Sequence, residues 1–296
     1  MKKLLLFSGA FLLLAASTVR ADGEGGAALP LVGDGSLSIG LPSSFGLTGM
    51  RDMIDARIPA GINVRGLLRF DDETQNLSSS SQSYSQDLYQ GNLIVGASAL
   101  KLFDVGVRVP LEWQVEKDRL RGDPTDRTSA DGIGNTLVSG KVGFQLLPWL
   151  TIGPYVTAAT DSGSSLLDKS NMLTVGGCGT FAIWEERLAA HVNMSTIFQD
   201  GGKWSFKYRV GGSVVPFASD PLLFRVFAYF DGQDYVGDRV QGSEASIYGG
   251  VQALFFKFVM AEVSFGWRVY AGDLPHAVKD ESTYGLDVGA GVSFTF

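Results

Sequence analysis

The chain has 296 residues, a formal net charge of −7, 45% hydrophobic side chains, 38 glycines and one cysteine. Glycine is far above its usual ~7% share, yet no three- or seven-residue period accompanies it, which excludes collagen and coiled coil. Cys178 alone builds no disulfide scaffold, the apolar content excludes global disorder, and the acidic balance argues against a nucleic-acid partner.

Lys2 and Lys3 precede an apolar run from Leu4 to Ala16, which Val19-Arg20-Ala21 closes. A basic start, a short apolar run and small residues at −3 and −1 make residues 1–21 a secretory signal peptide, cleaved after Ala21. Its removal takes Lys2, Lys3 and Arg20 with it, so the net charge goes from −7 to −10. The run is shorter than the ~20 apolar residues a spanning helix needs. No cysteine follows it to take a lipid anchor.

Beyond residue 58 the dominant signal is alternation at period two. Tyr284, Leu286, Val288, Ala290, Val292, Phe294 and Phe296 share one face, and Gly285, Asp287, Gly289, Gly291, Ser293 and Thr295 share the other. That pattern is a strand with one apolar and one polar or small face. It predicts about twelve strands, near residues 60–70, 86–100, 103–116, 133–147, 149–160, 169–183, 187–198, 203–216, 221–232, 243–255, 257–271 and 283–296.

Charges keep to one face. Val105, Val107, Val109, Leu111 and Trp113 oppose Asp104, Arg108 and Glu112, while Trp204, Phe206, Tyr208 and Val210 oppose Lys207 and Arg209. Val259, Ala261, Val263, Phe265, Trp267 and Val269 likewise oppose Glu262 and Arg268. Facing such a charge toward lipid would cost about 2–4 kcal/mol near the midplane, so the register is strongly constrained. Short links near Lys101-Leu102, Pro148, Glu185-Glu186, Ser219-Asp220 and Phe256-Lys257 alternate with polar links at 71–85, 117–132, 161–168, 199–202, 233–242 and 272–282. Tight turns at one end and acidic loops at the other predict an all-β fold: a transmembrane antiparallel up-and-down barrel over residues 59–296.

The competing architecture is a secreted β-sandwich, whose strands also alternate. Predicted strands of roughly 11–15 residues exceed the usual 5–6, whereas ~10 tilted residues cross a bilayer. Aromatics also gather near the strand ends. Trp149, Trp184, Phe217, Phe255, Phe294 and Phe296 lie toward the short turns, and Trp113, Trp204, Phe230, Trp267 and Tyr284 toward the long links. Two such belts suit the two interfaces of a membrane.

The last strand, Tyr284-Gly-Leu-Asp-Val-Gly-Ala-Gly-Val-Ser-Phe-Thr-Phe296, resembles the terminal signal by which bacterial outer-membrane barrels are recognised for assembly. The resemblance implies outer-membrane lipid as surroundings and the barrel assembly machinery as a partner, engaged through the strand ending at Phe296. Two further stretches, Phe45-Gly-Leu-Thr-Gly-Met50 through Pro59-Ala-Gly-Ile-Asn-Val-Arg65 and Gly132-Ile-Gly-Asn-Thr-Leu-Val-Ser-Gly-Lys-Val-Gly143, are similar to a narrower group. That group is the outer-membrane transporters related to the meta-pathway of phenol degradation. Asn135 stands where the group would have Asp. Membership implies transport of hydrophobic or aromatic small molecules.

Chemistry for catalysis is sparse. The two histidines are His191, which alternates with Asn193 and Ser195 toward the lumen, and His276, in an acidic link beside Asp273 and Asp280. A rim protease would need a histidine clustered with carboxylates, and a phospholipase a serine activated by a histidine on the lipid face. The sequence reads as a non-enzyme, with a rim hydrolase as the third alternative. No metal or cofactor motif is legible. Asp123, Asp126 and Asp131 lack the ligand order of a calcium loop, and Gly132 and Gly134 open a strand rather than cradle a phosphate.

The inward face carries the informative residues: Arg65, Arg69, Arg108, Lys141, Lys207, Arg209, Arg225 and Arg268, against Asp104, Glu112, Asp231, Glu262 and Asp287. The hairpin at residue 219 predicts Lys207 opposite Asp231, and the last hairpin predicts Arg268 near Asp287. Arg65, Arg69, Arg108, Arg209 and Arg225 have no local partner in this reading and predict a basic ladder, which favours anions. Residues 22–58 show no full strand. They are expected either to hang in the periplasm or to fold into the barrel as a plug, with Leu41, Phe45, Leu47, Met50 and Met53 against the lumen. The expected function is passive passage of small solutes, with a mild preference for small anionic or aromatic acids. The alternative is a plugged structural or surface-exposed barrel.

Overall fold

The alternation closes on itself. The computed structural model describes residues 43–59, 62–78, 82–120, 126–160, 162–163, 171–183, 187–200, 202–219, 222–236, 242–256, 258–272 and 282–295. Twelve staves form one antiparallel barrel, with no helix among the described residues. They are β1 (Ile62–Ser78), β2 (Gln82–Ala99), β3 (Phe103–Leu120), β4 (Asp126–Ile133, resuming as Leu137–Val142 and Phe144–Leu147), β5 (Leu150–Ala159) and β6 (Met172–Ile183). There follow β7 (Leu188–Gln199), β8 (Lys203–Ser219), β9 (Leu222–Val236), β10 (Gly242–Phe255), β11 (Val259–Gly272) and β12 (Ser282–Thr295). Each stave pairs with the next in sequence, and β12 pairs with β1 from Ser282↔Ser78 to Thr295↔Arg65, so no edge is left open.

Sidedness follows the predicted alternation. Val105, Val107, Trp113, Trp204, Val263 and Phe265 are exposed on the outer surface, and Trp267 keeps 65% of its surface free. Asp104, Arg209 and Glu262, on the opposite faces of the same staves, are buried. Trp149, Phe217 and Phe255 stand exposed toward the short-turn end, and Trp113, Trp204, Phe230 and Trp267 toward the other. Phe294 is half-buried. Trp184, Phe296 and the side chain of Tyr284 lie outside the described residues, as do residues 1–42 and His276.

Two predicted links are corrected. Residues 71–85 were expected to form a link, but β1 runs on to Ser78 and β2 resumes at Gln82; likewise β3 runs to Leu120 and β4 begins at Asp126. Beyond the apolar zone a ladder still satisfies every backbone N–H and C=O, while an apolar face is no longer required. Hydropathy alternation therefore ends before strand pairing does. At the other end, Leu100 and Lys101 take φ of 59° and 56°, and Leu102 N donates to Ala99 O at 3.1 Å. Two left-handed central residues match a tight hairpin to the strand twist.

Of residues 22–58, those from 43 onward are described, and they run through the inside of the barrel. Gly49–Met50 pairs antiparallel with Met53–Ile54 in a miniature hairpin whose four residues are all buried. Ile54 exchanges two hydrogen bonds with the Asn193 side chain on β7 (2.7 and 2.8 Å), and Ala56 N donates to Thr180 Oγ1 on β6 (2.9 Å). Gly106 on β3 lets this segment approach the wall backbone to backbone: a Cβ there would sit 2.2 Å from Phe45 O. Gly106→Val is therefore expected to displace the segment from the wall. Trypsin should then cut the folded variant after Arg51 or Arg57, and resistance equal to that of the wild type would contradict this packing.

Candidate functional site

Because the staves are in register, inward side chains of neighbouring strands form rows around the lumen. One row runs Arg225, Gln252, Glu262, Gly291, Arg69, Asn92 across β9, β10, β11, β12, β1 and β2. It is bonded almost end to end. Arg225 Nη1 donates to Gln252 Oε1 (3.3 Å), Gln252 Nε2 to Glu262 Oε2 (2.6 Å), and Glu262 Oε1 lies 3.3 Å from Arg69 Nη1. Glu262 and Arg69 are two staves apart; they meet because Gly291, between them, carries no side chain. Arg69 Nε also binds Asp71 (2.8 Å), and Asn92 Nδ2 donates to the other oxygen of that carboxylate (3.0 Å). Arg108 donates to Asn92 Oδ1 (2.7 Å) and Gln90 Oε1 (2.8 Å), and Gln90 Nε2 donates to Glu112 Oε1 (2.8 Å).

A second centre surrounds Asp104, which is buried on β3. Its carboxylate pairs with Arg65 and with Lys141 (3.2 Å), and accepts Thr48 N from the inner segment at 2.7 Å. Lys141 Nζ further donates to Thr48 Oγ1 and Asp55 O. A third centre is Asp231, bound by Arg209 (3.0 Å) and Lys207 (3.3 Å). The inner segment adds Arg51, which pairs with Asp287, donates to Ser264 Oγ (2.7 Å) and lies 4.6 Å from the centroid of the Tyr248 ring. Asp55 pairs with Arg57 at 2.6 Å. Burial, the largest influence, pushes the Asp55 carboxyl upward, but the adjacent Arg57 together with His191 and Arg225 outweighs it and holds the group well below the usual carboxylate range.

The sequence-predicted residues thus all face inward, but their partners are corrected. The expected ladder of free cations is mostly neutralised: Arg65 pairs with Asp104, Arg69 with Asp71 and Glu262, and Arg209 with Asp231. Only Arg108 and Arg225, of the five, rest on neutral amide oxygens in their hydrogen bonds. Arg209, not Lys207, stands directly opposite Asp231, because Ser219 pairs with Leu222 and a bulge between Val214 and Phe217 resets the register. Lys207 faces Gln233 and reaches Asp231 diagonally. Arg268 stands opposite Gly285 and pairs with Glu244 (3.6 Å), while Asp287 is bound by Arg51. Except for Asp71, which lies on the same stave as Arg69, the partner comes from another stave or from the inner segment, which alternation along one strand does not reveal. Arg51, Thr48 and Asp55 are lumen residues that the sequence did not single out because they lie on the inner segment, and Asp71 because it falls in the predicted link 71–85, where β1 in fact continues.

His191 is fully buried in the lumen wall. Thr180 Oγ1 donates to Asp55 Oδ1 (3.0 Å), so His191 Nδ1–H donates to Thr180 (3.1 Å) and Nε2 accepts from Ser213 Oγ (3.0 Å). A hydroxyl rather than a carboxylate stands behind the imidazole, and the inner segment lies over it, so this is not the lipid-facing serine and histidine of a phospholipase. Cys178 is buried, with Sγ donating to Gly153 O at 3.2 Å. Among the described residues no group of three or more His, Cys, Asp or Glu is placed to hold a metal.

Buried pairs are costly to break singly, because the survivor keeps its charge. Asp104→Asn leaves Arg65 and Lys141 without their carboxylate and should lower stability in lipid vesicles by about 3–5 kcal/mol. The urea unfolding midpoint reads this, and an unchanged midpoint would show that Asp104 does not hold the two cations.

No protein-family model matches the chain, and neither does any curated protein. Solved structures do. The COG4313 outer membrane channel from Pseudomonas putida F1 superposes with a TM-score of 0.58 at 11% identity, over 81% of this chain and 97% of that one. The β domain of the Bordetella autotransporter BrkA gives 0.50 at 10% identity, over 79% and 99%. The CymD monoaromatic hydrocarbon channel gives 0.43 at 9% identity, over 79% and 88%. The narrower resemblance to the phenol-degradation transporter group is not confirmed by them. The chain has the fold of the bacterial outer-membrane β-barrels, built from twelve antiparallel strands.

Proposed function

We propose that this protein is a channel for passive passage of small solutes across a bacterial outer membrane, exported by residues 1–21 and cleaved after Ala21. The observation that supports the reading is the inward hydrophilic wall of a closed barrel, lined by Arg65, Arg69, Arg108, Glu112, Lys141, Lys207, Arg209, Arg225, Asp231, Glu262, Arg268 and Asp287. The COG4313 outer membrane channel, which has the same fold, lends support. The short-turn end then faces the periplasm, and the barrel assembly machinery receives the strand ending at Phe296.

Selectivity follows from the residual charge. Most cations are cancelled within the wall, so the preference for small anionic or aromatic acids is mild and rests on Arg108 and Arg225, held by amides. Proteoliposomes are expected to swell faster in a small aromatic carboxylate than in an aromatic amine of equal size. Arg225→Gln should reduce that ratio by about threefold, the scale of one partly screened charge. Swelling no faster than that of protein-free liposomes in any solute would reject the channel. The second reading, a structural barrel without transport, is favoured by residues 43–59 occupying the lumen, and the same assay decides between the two.

A further inference from the structure

One inward row differs from those above it. Ile94 on β2, Leu67 on β1, Ser293 on β12, Met260 on β11, Leu254 on β10, Leu223 on β9 and Ala218 on β8 are consecutive register partners. This row follows seven adjacent staves of the twelve, at the short-turn end of β8 to β11, one step beyond the row that contains Arg225, Gln252 and Glu262. Its apolar members pack on one another together with Val215, and none of Ile94, Leu67, Met260, Leu254, Leu223 and Val215 exposes more than 4% of its surface. The single polar member, Ser293, is fully buried and its Oγ has no hydrogen-bond partner. Among the described residues the cluster is made of wall side chains alone. The facing staves are covered differently: Ile54 lies on Asn193, Ala56 on Thr180, and Ile58 against Gly143.

We infer that this row is a hydrophobic gate, with Leu254 and Met260 as the residues that decide what passes. The inference rests on the channel reading and deepens it. An ion leaving the charged row would have to shed water against an apolar arc whose one hydroxyl, that of Ser293, cannot replace a hydration shell, and an apolar constriction closes by dewetting. A solute with an apolar surface loses nothing there and needs only side-chain displacement, for which the unbranched Met260 is suited. The charged row then orients a solute, while the apolar row refuses bare ions. Anionic selectivity and low ion conductance coexist because separate rows supply them.

The test uses full-length protein in planar bilayers. Leu254→Asn and Met260→Gln keep side-chain size and add polarity, and Leu254→Met with Met260→Leu is the apolar control. The polar double variant is expected to raise single-channel conductance about fivefold or more, with the control at the wild-type value. Equal conductance in the polar variant and the wild type would overturn the gate. A second probe does not depend on that variant folding: Ser293→Cys should resist a charged, water-soluble thiol reagent applied from either side, and labelling as fast as that of an exposed cysteine would also overturn it. If the polar variant conducts ions while wild-type liposomes pass no solute, the gate stands and the transport reading falls. If solutes pass and the polar variant is unchanged, the gate alone falls.

Discussion

Hydrocarbon accepts no unpaired charge and no unpaired backbone polar group, and every other feature of this structure descends from that constraint. A closed ladder satisfies the backbone, and period-two alternation then sends every second side chain outward. Val263, Phe265 and Trp267 are exposed outside, while Glu262 and Ser264, which alternate with them, are buried inside. Having been driven inward, the ionic groups have to neutralise one another, since a lone buried charge costs several kcal/mol. The barrel wall and its ionic interior are consequences of one rule.

Neutralisation shapes what the interior can do. The charged row is cross-linked by hydrogen bonds and ion pairs from β9 round to β3, so that part of the lumen is a rigid polar surface rather than a tube of free charge. The inner segment is part of that network. Thr48 and Arg51 complete the coordination of Asp104 and Asp287, and Asn193 and Thr180 satisfy its backbone. Removing the segment would open space but also orphan buried groups on the wall. Occupation of the lumen and stability of the wall are therefore coupled.

Much of this was legible in the sequence because the bilayer imposes a strict code. The number of staves, their sidedness and nearly all short turns follow from alternation in segments such as Val259–Gly272. The limits of that code are equally physical. Residues 71–78 and 82–85 pair as strands outside the apolar zone, where no alternation is demanded. The bulge between Val214 and Phe217 moves Arg209 in front of Asp231, and no local hydropathy signal marks it. Arg69 finds Glu262 across Gly291, and Asp287 finds Arg51, through contacts between segments far apart in the chain. A strand's own pattern tells which way a charge points, not which partner awaits it.

The central claim is that the outward side chains are dissolved in lipid. It is tested most directly by the tryptophan fluorescence of protein reconstituted in vesicles whose lipids carry bromine along the acyl chains. Trp113, Trp149, Trp204 and Trp267 all stand exposed on the outer surface. Strong quenching relative to unbrominated vesicles is the result this account requires. Emission that is the same in both would place those rings outside the hydrocarbon and contradict it.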